Sequence, residues 1–119
     1  MKTIQELEAM SDDELRVMLA MLCGWEKLSP PEPLIWTRDG VKHVIGYANW
    51  RDPSTRLKRD EDLPNYPADL NVLEPIEEKI LRTDADRYIN QLRDFRGIHW
   101  GFCSSRQRTI ALIATLQPQ

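Results

Sequence analysis

Leu34-Ile-Trp-Thr-Arg-Asp-Gly-Val-Lys-His-Val-Ile-Gly46 sets two runs rich in β-branched and aromatic residues on either side of Asp39-Gly40. Asp-Gly suits the type I′ turn, because both residues tolerate the positive φ whose twist matches a pair of antiparallel strands. The stretch predicts a hairpin over 34–46. Tyr47-Ala-Asn-Trp50, directly after it, either prolongs the second strand or opens a loop. Ser29-Pro-Pro-Glu-Pro33, directly before it, reads as a stiff connector, since proline cannot donate to a ladder or a helix.

Helices flank the hairpin on both sides. Thr3 and Glu6, and again Ser11 and Glu14, stand at capping-box spacing, which predicts helices over 3–10 and 12–23. Leu15, Met18, Leu19 and Leu22 form one apolar stripe of the second helix, and Gly24 is placed to end it in a left-handed conformation. After the hairpin, 51–62 alternates charges with turn residues and has one aliphatic side chain, Leu57, so it predicts a flexible charged loop. Leu63-Pro-Asn-Tyr-Pro-Ala-Asp-Leu-Asn71 marks the return to helix, with Pro67 expected in the first turn and Asp69 or Asn65 as cap. That helix runs over 69–81 and carries Pro75, which threatens to kink or divide it. Thr83-Asp-Ala-Asp86 offers the next cap, followed by an apolar face of Tyr88, Ile89, Leu92 and Phe95. Residues 98–103 alternate as a short strand, and Ser104 or Ser105 caps a last helix with Ile110, Ile113 and Ala114 inward.

These elements predict an α+β fold. A small antiparallel sheet, the hairpin 34–46 plus the strand 98–103, packs with helices in an α/β/α sandwich. A chain of 119 residues suits a single domain, 1–119, with the charged loop at 51–62. Hydrophobic residues make up 41% and charged residues 29%, ordinary for a globular protein. The net charge of −3 gives no global basic field, so nucleic acid is not an expected partner. No stretch is long and apolar enough to span a bilayer, and the first residues do not resemble a signal peptide. Cys23 and Cys103 form neither a disulfide framework nor a metal pattern, which points to reduced thiols in the cytosol. No cofactor motif is present.

Leu63-Pro-Asn-Tyr-Pro-Ala-Asp-Leu-Asn71, together with Trp100-Gly-Phe-Cys-Ser-Ser-Arg-Gln-Arg-Thr-Ile-Ala-Leu112, resembles the phage ABA sandwich domain. Gly24-Trp25, at the end of the N-terminal helix, fits the same pattern. Pro67, where a serine or threonine cap is frequent, Pro75 and the charged insertion before Leu63 depart from it. The resemblance implies helix–sheet–helix layering and a phage or prophage origin, and it implies no catalytic residues.

Candidate chemistry is sparse. Trp25, Trp36, Trp50 and Trp100 are many tryptophans for this length. Trp25 and Trp100 read as core, Trp36 and Trp50 as exposed, because Trp50 adjoins Arg51 and a loop. An aromatic–arginine pair can stack on a base and pair with phosphate. The candidate ligand-binding residues are therefore Trp50, Arg51, Tyr66, Arg106 and Arg108. Cys103 at a helix start is a candidate low-pKa thiol, and the same helix start a candidate anion site. His43 and His99 lack neighbours at metal spacing. The expectation is a non-catalytic accessory protein that binds a host protein or a small anionic, nucleotide-like ligand, an anti-defence factor for example. The alternatives are a small nucleotide-directed hydrolase or transferase using Cys103 or His99, and a structural accessory that forms homo-oligomers.

Overall fold

The computed structural model describes residues 2–96 and 103–118. It is an α+β chain, and its described residues form five α-helices and a three-stranded antiparallel sheet. The chain divides into two compact units, Met1–Leu22 with Pro64–Gln119, and Cys23–Leu63.

The first unit is helical. Helix α1 (Ile4–Glu8) opens with the expected capping box, Thr3 and Glu6 each accepting the other's backbone N–H at 3.2 Å. Ser11 and Glu14 repeat the arrangement at the start of α2 (Asp12–Leu22). Helix α3 (Leu70–Thr83) begins after Asp69, whose carboxylate accepts the Asn71 N–H at 2.9 Å. Pro67 is thus not in the helix. It lies in a turn closed by the Ala68 N–H donating to the Asn65 carbonyl, and the helix starts three residues later than its prolines suggest. Pro75 does not divide α3. The carbonyl it leaves without a helical donor belongs to Asn71, which is exposed, so water can take the place. Helix α4 (Ala85–Arg96) follows, then α5 (Ser105–Leu116), whose capping box pairs Ser104 with Gln107.

Helix α5 organises this unit, since each of the other four helices packs against it. Every residue from Thr109 to Ala114 is buried, and so is Thr115; a helix buried all round must sit inside its unit. The two threonines satisfy their hydroxyls by donating to carbonyls one turn back, Ser105 and Ala111, both at 2.8 Å. Leu7, Leu15, Leu19, Leu73, Tyr88 and Leu92 complete the packing. Burying each large apolar side chain contributes about 1.5–3 kcal/mol. One polar knot crosses the helices: the Tyr88 hydroxyl donates to Glu77 at 2.5 Å, and the Arg108 guanidinium meets the other Glu77 oxygen at 3.4 Å.

The second unit is built on a long hairpin. Strand β1 (Glu26–Arg38) pairs antiparallel with β2 (Val41–Arg51), and the short β3 (Leu57–Lys58) adds to the far side of β2. Asp39 and Gly40 have φ of 52° and 75°, the positive values a type I′ turn needs. Tyr47–Trp50 does prolong the second strand. The proline-rich connector, however, is part of β1. It is tolerated because β1 is an edge strand and the register jumps between Lys27 and Glu32, so Pro30 and Pro31 lie where no partner is opposed.

The charged run 51–62 also differs from its compositional reading. Asp52 and Arg56 close a turn with two bonds of 2.9 Å, β3 follows, and a 3-10 turn spans Asp60–Asp62. Backbone bonds in these turns and side-chain bonds from Asp52 and Asp62 to backbone N–H groups shape the segment, and hydropathy does not see them. The predicted strand 98–103 falls outside the described residues except for Cys103, which lies in no strand. Among the described residues the third strand of the sheet is β3.

Candidate functional site

The five residues nominated from sequence are distributed between the two units. In the second unit Trp50 is 1% exposed, against its expected exposure, because its indole N–H donates to Asp60 at 2.6 Å and the Lys27 ammonium covers the ring at 5.8 Å. Arg51 donates to Glu32 at 2.9 Å and to the Thr55 carbonyl at 3.2 Å. In the first unit Tyr66 is buried. Arg106 ties α5 to the α1–α2 connection by pairing with Asp12 and donating to the carbonyls of Glu8 (2.9 Å) and Met10 (2.7 Å). Arg108 donates to Glu77 and to the Cys103 carbonyl. The three guanidiniums thus brace the chain's own carboxylates and carbonyls.

The other nominated groups fare similarly. Cys103 is buried with its thiol 3.7 Å from the Leu92 carbonyl, and Ser104 already caps the helix start beside it. His43 lies on the hairpin, its ring 6.2 Å from that of Trp36. His99 and Trp100 fall outside the described residues. Among the described residues no group of three or more His, Cys, Asp or Glu side chains could hold a metal ion. No described helix is long and apolar enough to cross a membrane.

The feature that sequence reasoning missed is the outer part of the hairpin. Opposed residues share a face and neighbours alternate, so the register assigns the faces. Ile35 opposes Val44 and Pro33 opposes Tyr47 on one face. Trp36 opposes His43 and Arg38 opposes Val41 on the other. Between Val44 and Gly46 the register slips, leaving Ile45 as an unopposed bulge residue. Ile35, Trp36, Val41, Val44, Ile45 and Tyr47 are all between 50% and 59% exposed. Trp36, exposed as expected, also lies under the Arg38 guanidinium at 5.8 Å.

Cover begins only at the base of the arm. There Arg59 crosses Gly46 so closely that a Cβ would come within 2.6 Å of its guanidinium, and Asp60 accepts from both Asn49 (3.1 Å) and Trp50. β3 pairs with Trp50 and Arg51 alone, and Arg59 and Asp60 cover Gly46 to Asn49, so β2 has an open edge only from Val41 to Ile45 among the described residues. The outer edge of β1 is different, for its proline-rich stretch 30–33 lacks N–H donors that an incoming strand would need. The arm therefore offers apolar side chains on both faces and one backbone edge able to pair. No family model, curated protein or solved structure matches this chain.

Proposed function

We propose that this chain is a non-catalytic binding protein whose recognition element is the two-stranded arm 33–47, and that its target is a protein. The observation that carries this is the half-exposure of six large apolar side chains on one short ribbon. A two-stranded ribbon with neither face covered is marginal in water, and clustered exposed apolar groups mark interaction surfaces. A protein target suits this surface better than a small anion, because Arg51, Arg106 and Arg108 are already committed to carboxylates and carbonyls. The resemblance to the phage ABA sandwich domain adds a bacterial host protein as the target and an anti-defence role as the setting.

The test is affinity capture from a bacterial lysate with the wild type and with Ile35→Lys/Val44→Lys, which charges one face of the arm. Leu81→Lys, an exposed substitution on α3, is the control. A stoichiometric partner lost with the arm variant and kept with Leu81→Lys supports the reading. A partner retained by the arm variant overturns it. The open edge of β2 favours a second reading, pairing of two copies edge to edge. That reading expects a concentration-dependent dimer by light scattering, dissolved by the same arm variant.

A further inference from the structure

We propose that the groove along α2 is a docking site for a basic amphipathic helix of another protein. The groove has a volume of about 890 Å³ and opens to solvent. Val17, Met18, Met21 and Leu22 form its apolar wall, with Met10 before the helix and Pro118 beyond α5 contributing to the rim. Along α2 these positions recur with Asp13 and Glu14 at helical spacing, so they form a second longitudinal stripe. The first stripe, Leu15 and Leu19 with Ala20, is buried. Helix α2 is thus apolar on two sides, one fully buried in its own unit and the other half-covered.

Three properties decide the occupant. The stripe from Asp13 to Leu22 rises about 13.5 Å, roughly two and a half turns, which accommodates a helix presenting anchors at i, i+3 or i+4, and i+7. Three of the chain's 4 methionines, Met10, Met18 and Met21, line the groove, and unbranched thioethers adapt to differently shaped apolar anchors. Its lining is charged only at the amino end of α2, by Asp13 and Glu14, with no basic residue among the described lining and Lys2 acting on Glu14 from outside it. The Glu14 carboxylate also accepts the Ser11 N–H, which lowers its pKa. The occupant therefore carries lysine or arginine where its apolar face meets that end. Pairing of α2 with the α2 of a second copy fits poorly, because its one cation, Arg16, donates to the Pro64 carbonyl at 3.1 Å.

The probe is a fluorescein-labelled peptide of about fifteen residues, with leucines at helical spacing and lysines elsewhere. Its twin with glutamate for lysine and a scrambled lysine peptide are the comparators, and the readout is fluorescence anisotropy on the whole chain. Saturable binding of the lysine peptide alone is expected, weakened about tenfold or more by Met21→Lys and by Asp13→Lys, and weakened by salt. Both positions are exposed, so Met21→Lys is expected to melt like the wild type. Asp13→Lys reverses a charge in the first turn of α2 and should melt a few degrees lower, which leaves the chain folded at the assay temperature. Equal binding of the scrambled peptide, or full binding to both variants, overturns the proposal. So does a peptide-independent dimer that Met21→Lys dissolves, which would make a second copy the occupant.

Discussion

The two units of this chain solve opposite problems with similar side chains. In the helical unit, Ile110, Leu112 and Ile113 are fully enclosed because α5 is packed by four other helices. In the hairpin unit, Ile35, Val44 and Ile45 are more than half exposed, and among its residues only Ala48, Trp50 and Leu63 are buried. Apolar content therefore measures cohesion in one region and availability in the other. A unit with so little of itself enclosed holds its shape through the ladder, the type I′ turn and the Asp60 bonds. The helical unit holds its shape through packing.

The sharpest way to break that comparison is to delete the same kind of carbon atoms from each region. Ile113→Ala removes enclosed methyls and leaves a cavity inside α5's surroundings, at an expected cost of about 2–5 kcal/mol in chemical denaturation. Val44→Ala on the arm is expected to stay within about 0.5 kcal/mol, since water already reaches most of that side chain. An equal cost at both positions would show that the arm's faces are packed in solution, and the division of labour would fall.

A second, smaller effect is confined to the helical unit. Burial raises the Tyr88 hydroxyl well above the usual tyrosine range, and its bond to Glu77 and that carboxylate's charge add to the rise. A group whose folded pKa lies above its unfolded value stabilises fully below the unfolded pKa, about 10, and loses that contribution as pH rises beyond it. The helical unit should weaken by about 1.4 kcal/mol per pH unit above pH 10. Tyr88→Phe should flatten that slope while costing about 1–3 kcal/mol at neutral pH, because Glu77 loses a buried donor. Melting curves of the two proteins between pH 8 and 11 read both quantities, and parallel slopes would remove Tyr88 as the cause.

What could be read from sequence follows the range of the interactions involved. The Asp39-Gly40 turn, the boxes at Thr3 and Ser11 and the serine cap of the last helix, read as Ser104 or Ser105 and found at Ser104, are settled within four residues. Edge position is not local. Pro30, Pro31 and Pro33 look like strand breakers until β1 is known to have an open side. Burial is not local either: Trp50 beside Arg51 resembles an exposed pair, but its partner Asp60 arrives ten residues later, after a charged run whose order rests on polar bonds. The stripe on α2 was half legible. Periodicity groups Met18 and Leu22 with Leu15 and Leu19, whereas only the last two are enclosed and the first two line the groove. Exposed apolar faces leave no mark in sequence, since valine, isoleucine and tryptophan pattern alike whether or not anything covers them.

The smallest expected effect tests whether the two regions are independent. Gly40 has φ of 75°, and a Cβ built there meets nothing within 4 Å, so Gly40→Ala adds backbone strain without a clash. Left-handed backbone costs a residue with a Cβ about 1–2 kcal/mol, and Gly40→Asn should cost less because asparagine tolerates that region. On a ribbon with no cover, a change of about 1 kcal/mol raises the open population about fivefold. Amide hydrogen exchange should therefore quicken by about that factor through the arm, at Arg38, Val41 and their ladder neighbours, while the amides of α5 keep their rates. If α5 exchange quickens by the same factor, the hairpin and the helices open as one cooperative unit. The arm would then draw on the stability of the helical packing, despite leaving its own apolar faces bare.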